Sequence, residues 1–147
     1  MPDELEIVQN SHSLMDLENS FKNLPQVECQ FIHHFSDHVY VRERRAKADT
    51  LIVGKRHRYA TCSILLEGEL SVFDGEKVSR YKAPHIFNSI SGAKRMTYSH
   101  TDTTLITIHP TILTDLEEIE KVFIIPETEF ESGIIDGYKL DEIGGAT

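Results

Sequence analysis

Long apolar runs are missing from this sequence. No stretch approaches the ~18 consecutive apolar residues that a membrane-spanning helix needs. The opening segment, MPDELEIVQN, is acidic and polar, so it lacks the basic and then apolar pattern of a secretory signal. These absences predict a cytoplasmic protein with no membrane partner.

Cysteine is also scarce, because Cys29 and Cys62 are its two occurrences. They lie in different apolar segments and without C-x-x-C spacing, so we expect two free thiols and neither a disulfide nor a zinc-binding pair. The sequence also lacks a G-x-S-x-G or other nucleophile motif, which leaves covalent catalysis without support.

Positive charge is in deficit overall. The formal net charge of −9 disfavours binding to nucleic acid and to anionic membranes. Twelve of the fifteen Lys and Arg residues nevertheless lie between Arg42 and Arg95, where they meet six acidic residues. This basic centre has two interpretations: solvated charges on edge strands and turns, or a concave site that binds an anion.

A chain of 147 residues is the size of one domain, and we divide it into three segments. Residues 1–25 form an N-terminal arm with a short helix, predicted by the apolar spacing of SHSLMDLENSFKNL over residues 11–24. Residues 26–125 form a strand-rich unit with a closing helix. Residues 126–147 form an acidic tail, which we expect to be a loosely held strand or an arm reaching over a neighbour.

The sequence pattern of the central segment, residues 26–109, predicts β-strands. Between residues 26 and 109, short runs rich in Val, Ile, Thr, Tyr and Phe alternate with turn residues, and Asp74-Gly75 predicts a tight hairpin turn. About eight strands at such intervals are typical of a sandwich or barrel, so we predict an all-β fold. The capping-box pattern that starts at Thr114 predicts the closing helix over residues 114–123, with Pro126 ending it.

Two glycine-containing segments carry a known spacing: GKRHRYATCSILLEGEL, residues 54–70, and ISGAKR, residues 90–95. They resemble the two motifs of the cupin superfamily, whose small barrels hold a metal ion inside. The first motif has a His-x-His pair, a Glu and a closing Gly, and the second has a Gly followed by a His. The resemblance implies a cupin-type double-stranded β-helix (jelly-roll) barrel with short N- and C-terminal helices. It also implies a homodimer.

The residues at the metal-ligand positions of these motifs have changed. With Gly68 as the closing glycine, Thr61 stands at the Glu position, and Lys55 and His57 occupy the His-x-His positions. Arg95 replaces the histidine of the second motif. Transition metals prefer neutral imidazole or carboxylate ligands and are repelled by Lys and Arg, so we expect no metal and no cofactor here. A displaced metal site and a purely structural barrel remain the alternatives.

The replaced quartet offers an ammonium, a guanidinium, an imidazole and a hydroxyl group. Inside a barrel, low dielectric strengthens the attraction of such groups for a phosphate or carboxylate. Arg44 and Arg56 are candidates for the mouth of this anion site, and Tyr98 and His100 are further candidate ligand-binding residues. Strand alternation leaves His100 on the outer face unless a bulge intervenes.

A longer resemblance runs from about Val27 to Phe123. The segments HHF, VYVRE, GKxH, APHIF, GxKR, IHPT and TDLEEIE occur in the order seen in small cupin proteins common in tailed-phage genomes. The resemblance implies a protein that acts in the host cytoplasm during phage infection, and it implies no established reaction.

Three hypotheses for function follow. The first is a non-enzymatic phage cupin that binds or sequesters a small anionic ligand, of which a nucleotide-derived signal is one form. The second is a small-molecule enzyme, metal-independent or metal-dependent, such as a sugar isomerase or epimerase, with His57 as general base and Lys55 or Arg95 steadying an oxyanion. The third is a structural or regulatory phage protein whose barrel face binds another protein.

Overall fold

The computed structural model describes residues 18–19, 21–22 and 24–126, and the backbone of residues 134–135 and 138–139. Within residues 24–126 the chain forms nine strands and one helix. These elements are β1 (Gln30–Ser36), β2 (Val39–Ala46), β3 (Thr50–Val53), β4 (Thr61–Glu67), β5 (Glu69–Phe73), β6 (Val78–Lys82), β7 (His85–Ser89), β8 (Met96–Ser99), β9 (Thr103–Pro110) and α1 (Leu116–Phe123). Farther along, β10 (Ile134–Ile135) pairs with β11 (Tyr138–Lys139).

The nine strands form two antiparallel sheets, which confirms the all-β prediction. One sheet has the order β1-β2-β9-β4-β7 and the other has the order β3-β8-β5-β6. An apolar core joins the inner faces of both sheets, and its buried members are Leu65, Leu70, Val72, Phe87 and Leu105. The sheets therefore enclose a barrel interior.

Strand alternation makes part of this interior polar. Two rows of side chains cross the inner face of the five-stranded sheet, as the strand registers show. The first row contains Tyr40, His109, Thr61 and Ser89, and the second contains Arg42, Thr107, Ser63 and Phe87. Because successive residues of a strand point to opposite faces, the polar rows and the apolar core share one interior.

Two turns, of which the one at Asp74-Gly75 was predicted, have the geometry that their glycines allow. Asp74-Gly75 links β5 to β6, where the Asp74 carboxylate accepts hydrogen bonds from the backbone N–H groups of Glu76 and Lys77 at 2.9 and 3.0 Å. Gly75 has φ +104° and Gly68, between β4 and β5, has φ +87°. Both values lie in the region that favours glycine.

Replacing Gly68 with Ala should destabilise the fold by about 2 kcal/mol or more, because backbone strain adds to a steric clash. A Cβ atom at Gly68 would lie 2.2 Å from the backbone oxygen of Asp102. Gly92→Ala is the matched control, since Gly92 has φ +80° but its Cβ would meet nothing within 4 Å. We expect that control to lose only about 1 to 2 kcal/mol in urea unfolding. Equal losses in the two variants would contradict the clash.

Helix α1 closes one end of the barrel. Its Ile119 and Phe123 are buried against Tyr40, with Leu113 alongside. The prediction that the capping pattern starts at Thr114 is wrong by one residue, because the side chain of Asp115 is the N-cap and accepts a hydrogen bond from the N–H of Glu118 at 3.1 Å. The helix ends at Phe123, before Pro126.

The N-terminal helix is described only in part. Glu18, Asn19 and Phe21 are helical, and Phe21 packs beside the buried pair Phe73 and Met96 on the outer face of the smaller sheet. The rest of the helix predicted over residues 11–24, and the tail prediction for residues 127–147 apart from the β10–β11 backbone, lie outside the described residues. Cys29 and Cys62 are free thiols, as predicted. In the described part of the chain, no helix is long and apolar enough to cross a membrane.

Candidate functional site

Three arginine side chains enter the barrel interior. Arg42 and Arg44 come from β2, where alternation places both on the inner face, and Arg95 comes from the residue before β8. Arg44 Nη2 donates a hydrogen bond across the barrel to Thr97 Oγ1 of the other sheet, at 3.0 Å. The guanidinium of Arg42 lies 4.4 Å above the Phe31 ring. The three cations thus come from both walls of one interior.

Arg95 is also held against an aromatic ring. Its guanidinium carbon lies 5.3 Å from the centre of the Phe87 ring. Phe87 itself stacks on Tyr81 at 4.8 Å between ring centres. A guanidinium over a ring face gains cation–π attraction while its N–H groups, which lie in its own plane, stay available at the edge.

No carboxylate balances these arginines within the described residues. None of the inward-facing strand positions carries Asp or Glu. The ion pairs of the described chain also join no acid to Arg42, Arg44 or Arg95. Glu43, the acid next to them in sequence, points to the other face of β2 and pairs with Arg45 at 2.8 Å. The interior therefore holds positive charge without a compensating acid.

The pKa values of the three arginines are shifted mainly by burial. Burial lowers the pKa of all three, because a low-dielectric interior disfavours the charged form. The pKa of Arg44 falls to about 10, chiefly through burial, with the charges of Arg42 and Arg95 adding to the effect. Arg44 is thus close enough to the other two arginines for their charges to lower its pKa. It still carries its own charge at neutral pH.

Two histidines stack beside the arginines. The rings of His57 and His109 are nearly parallel, with an interplanar angle of 6° and 5.8 Å between centres. Burial lowers the pKa of each to about 4, aided for His57 by the charges of Arg95, His109 and Arg42. Both imidazoles are therefore neutral at pH 7.

Several buried polar atoms in this region have no hydrogen-bond partner in the described part of the protein. They are Ser63 Oγ, the Nδ1 atoms of His57 and His109, and Arg44 Nε. Ser63 is 0% exposed and His109 is 4% exposed. Buried polar groups are nearly always satisfied, so these atoms offer hydrogen-bonding capacity that a bound molecule or water would use.

Four of the residues proposed from sequence meet in this interior: His57, Thr61, Arg95 and Arg44. Thr61 is buried, and its Oγ1 lies 2.6 Å from Ser89 Oγ. Arg44 lies inside the barrel, deeper than the mouth position expected from sequence, because it shares the inner face of β2 with Arg42.

Lys55 and Arg56 lie elsewhere. Lys55 is exposed and forms an ion pair with Glu120 of α1. Arg56 Nη1 donates to the backbone oxygen of Gly92 at 2.8 Å. Both line an outer groove of about 470 Å³ that also contains Arg58, Lys94 and Ile125. The chain between β3 and β4 is not a strand, so alternation does not carry Lys55 to the side that His57 occupies.

Tyr98 and His100 lie on the outer face of the smaller sheet. Tyr98 Oη donates to Asp49 Oδ1 at 2.7 Å, and His100 Nε2 lies 2.7 Å from Ser71 Oγ. These positions have the opposite parity to Thr97 on β8, which accepts the hydrogen bond from Arg44. The structure thus does not bring Tyr98 and His100 to the arginines.

From sequence, Arg42 is, like Arg44 and Arg45, a candidate for the pocket mouth or for an edge-strand charge, and His109 is not singled out. The structure places Arg42 and His109 in the site. The signal was the alternation within VYVRERRA, which puts Arg42 and Arg44 on the face of Tyr40. The same alternation in TTLITIHP puts His109 with Leu105 and Thr107 on β9.

The residues at the cupin metal-ligand positions do not fit a divalent metal ion. Inside the barrel these positions offer one imidazole, one hydroxyl and a guanidinium that repels cations. Across the described residues, no group of three or more His, Cys, Asp or Glu side chains is arranged to hold a metal. The donor set is suited to an anion.

Purified protein without a tag should contain well under one equivalent of Fe, Mn, Ni or Zn. The reason is the cationic character of the arginine-lined interior, which repels divalent ions. Elemental analysis checks this prediction. Stoichiometric metal that disappears in the His57→Ala variant would overturn it.

Solved structures with this architecture are cupins. A cupin superfamily protein from Desulfitobacterium hafniense DCB-2 matches with a TM-score of 0.52 at 10% identity, over 63% of this chain and 85% of that chain. KdgF from Halomonas sp. matches with a TM-score of 0.52 at 10% identity, over 65% and 90%. A predicted oxalate decarboxylase from Thermotoga maritima matches with a TM-score of 0.51 at 16% identity, over 59% and 84%.

No protein-family model matches this chain, and no curated protein sequence matches it. The structural matches nevertheless cover 59 to 65% of this chain and 84 to 90% of the matched chains. The chain therefore has the cupin fold, a double-stranded β-helix closed by a helix. At these identities the likeness concerns the fold, and function must be argued from the interior.

Proposed function

We propose that this protein is a ligand-binding cupin that holds a small phosphate- or carboxylate-bearing anion inside its barrel without transforming it. The observation that carries the proposal is the set of three partly buried guanidiniums, Arg42, Arg44 and Arg95, with which no acid of the described residues forms an ion pair. An anion would supply the missing charge and accept charge-assisted hydrogen bonds, which are about twice as strong as neutral ones.

The state of His57 favours binding over catalysis. A general base works best when its pKa lies near the working pH. Burial and the neighbouring cations bring the pKa of His57 to about 4, which makes it a weak base. Lys55, one of the two residues considered for steadying an oxyanion, lies outside the barrel in its ion pair with Glu120, whereas Arg95, the other, lies inside. The isomerase or epimerase alternative therefore lacks an effective general base.

The resemblance to phage cupins motivates the biological setting that we propose, which is ligand capture in the host cytoplasm during infection. A nucleotide-derived ligand is one form of this proposal. Of four aromatic side chains in or near the barrel that offer a face to a base, Tyr81 and Phe87 line the interior, whereas Tyr59 packs on Phe123 and Tyr98 lies on the outer face. Stacking inside the barrel would thus use Tyr81 and Phe87.

Mass spectrometry of compounds released by heating the purified protein tests the proposal. We expect one anionic compound from the wild type. Incubating that compound with fresh protein should leave it unchanged, and its consumption would identify an enzyme instead. A wild type that releases no small molecule but purifies with a partner protein would favour the structural or regulatory alternative.

Arg95→Ala should weaken binding of the released compound by about 1.5 to 3 kcal/mol, the range for hydrogen bonds to charged groups. The guanidinium can make two parallel hydrogen bonds to one anionic group, which no alanine replaces. Calorimetric titration measures the loss. An unchanged affinity would remove Arg95 from the site.

We also propose a homodimer that uses the outer face of the five-stranded sheet. A row of aliphatic side chains crosses this face, formed by Ile32, Ile106, Ile64 and Ile86. Ile86 is 64% exposed, and Glu43 within the row is paired with Arg45, so the patch can face a second copy without charge repulsion. Light scattering should give a dimer mass that Ile86→Lys converts to a monomer. A monomeric wild type would contradict the proposal.

A further inference from the structure

We propose that the ligand of the barrel is a dianion, either a phosphate monoester or a dicarboxylate, and not a monoanion. This inference rests on the anion-binding function proposed above and adds the charge of the ligand to it. Three features of the interior support a dianion: the number of its cations, their mutual positions and the hydrogen-bond donors that they leave available.

The first feature is the number of charges. Arg42, Arg44 and Arg95 enter one interior in which the described strands place no carboxylate. A monoanion would neutralise one of these three cations and leave two facing each other in a low-dielectric space. A dianion would neutralise two. Because repulsion between like charges is stronger in a protein interior than in water, the second negative charge has a large effect on binding.

The second feature is the position of the three arginines on the two walls of the barrel. Arg44 donates a hydrogen bond across the barrel to Thr97, and the charges of Arg42 and Arg95 both lower its pKa. Arg42 and Arg44 belong to β2 of one sheet, while Arg95 precedes β8 of the other. An anion among them contacts both walls of the barrel, which suits a ligand with negative charge on several oxygen atoms.

The third feature concerns donors and acceptors. Arg42 and Arg95 rest over aromatic rings at 4.4 and 5.3 Å, which leaves the N–H edges of their guanidiniums available. Arg44 uses Nη2 for Thr97 and keeps an unpartnered Nε. Three guanidinium edges match the three terminal oxygens of a phosphate monoester or the four oxygens of a dicarboxylate. A single carboxylate offers two.

The neighbouring imidazoles do not alter this charge count. His57 and His109 stack on each other next to the arginines, and both are neutral at pH 7. Their buried Nδ1 atoms and Ser63 Oγ add neutral hydrogen-bonding capacity beside the charged region. The site thus combines three cations with a neutral polar wall.

Two pairs of probes of matched shape test the charge of the ligand. Methyl phosphate carries nearly two charges at pH 7.5, since the second pKa of a phosphate ester is about 6, whereas methyl sulfate carries one. Succinate carries two charges, whereas succinamate, its monoamide, carries one. Calorimetric titrations at fixed ionic strength should give at least about tenfold tighter binding for the dianion of one pair, the effect of one further charge-assisted bond. The pair that shows it distinguishes a phosphate ester from a dicarboxylate.

The arginine variants connect this preference to the interior. Arg44→Gln should reduce the dianion preference to within about threefold, because one of the three cations is gone. Arg45→Gln is the matched control, since Arg45 is the next residue of β2 and points to the outer face, where it pairs with Glu43. Arg95→Gln is a second interior variant if Arg44→Gln fails to fold.

The possible failures are distinguishable. Equal affinity for both members of each pair, lost in Arg44→Gln, would retain the anion site and overturn the dianion proposal. Failure of the wild type to bind any of the four probes would instead contradict the proposed anion-binding function. A dianion preference that Arg44→Gln and Arg95→Gln leave intact would place the discriminating site outside the barrel and overturn the inference.

Discussion

Replacing Arg44 with Met should weaken binding of methyl phosphate by about tenfold or more and at the same time raise the melting temperature of the ligand-free protein. Burial, with a smaller contribution from the charges of Arg42 and Arg95, brings the pKa of Arg44 to about 10. Replacing buried ionic groups by apolar residues of similar volume often stabilises a protein by about 1 to 4 kcal/mol. Loss of the hydrogen bond to Thr97 offsets about 1 kcal/mol of this gain.

The expected net gain of Arg44→Met is up to about 3 kcal/mol, and each kcal/mol raises the melting temperature of a chain of this size by about 2 to 4 °C. Differential scanning calorimetry measures this shift, and titration with methyl phosphate measures the loss of binding. Arg45→Met is the control, because Arg45 is exposed on the opposite face of β2 and pairs with Glu43 there. A sharp fall in the melting temperature of Arg44→Met alone would show that Arg44 supports the fold.

Lowering the pH from 7 towards 4 should destabilise the protein steeply through His57 and His109. Their pKa values are about 4 in the folded protein, against 6.5 for the ordinary imidazole. Between pH 6.5 and pH 4 these histidines bind protons in the unfolded chain but not in the folded chain. The free energy of unfolding therefore rises with pH across this range and decreases as the pH falls. Each histidine contributes up to about 1.4 kcal/mol per pH unit between these values.

Urea unfolding at half-unit intervals from pH 7 to pH 4.5 measures this slope. His57→Gln and His109→Gln should each reduce it by about the contribution of one proton, because one titrating group is removed. The exposed His85, replaced by Gln in the same way, is the control. A wild-type slope that neither variant changes would show that other groups cause the acid destabilisation.

The fold could be predicted from sequence because its signals are local. The Asp74-Gly75 turn, the glycine at position 68 and the short runs of β-branched and aromatic residues each require only a few neighbouring positions to be interpreted. The jelly-roll topology was implied by the resemblance to the two cupin motifs. The number of strands was underestimated, because about eight were predicted and nine are present in residues 24–126. Residues 77–90, KVSRYKAPHIFNSI, contain both β6 and β7.

The candidate site was predictable only where strand alternation holds. Alternation places Arg95, Thr97 and Ser99 on the same face. Applied to β2, it could also have placed Arg42 and Arg44 on one face and Arg45 on the other. It fails for Lys55, which lies in a loop and pairs with Glu120, a residue of a helix far away in sequence. Tertiary contacts of this kind leave no local signal.

Strand alternation also determines where the acid nearest to the arginines in sequence lies. Glu43 stands between Arg42 and Arg44 in the chain, so the segment reads as a mixture of charges. The pleat of β2 sends Glu43 to the outer face and both arginines to the inner face. Strand geometry therefore separates charges that the sequence places side by side.

Anomalous diffraction from crystals soaked in selenate tests the central claim most directly, because selenate is a dianion with the tetrahedral shape of phosphate. The claim is that the barrel interior is an anion site formed by Arg42, Arg44 and Arg95. We predict a selenium peak inside the barrel within hydrogen-bonding distance of at least two of these guanidiniums. Peaks confined to surface lysines, with none inside the barrel, would contradict it.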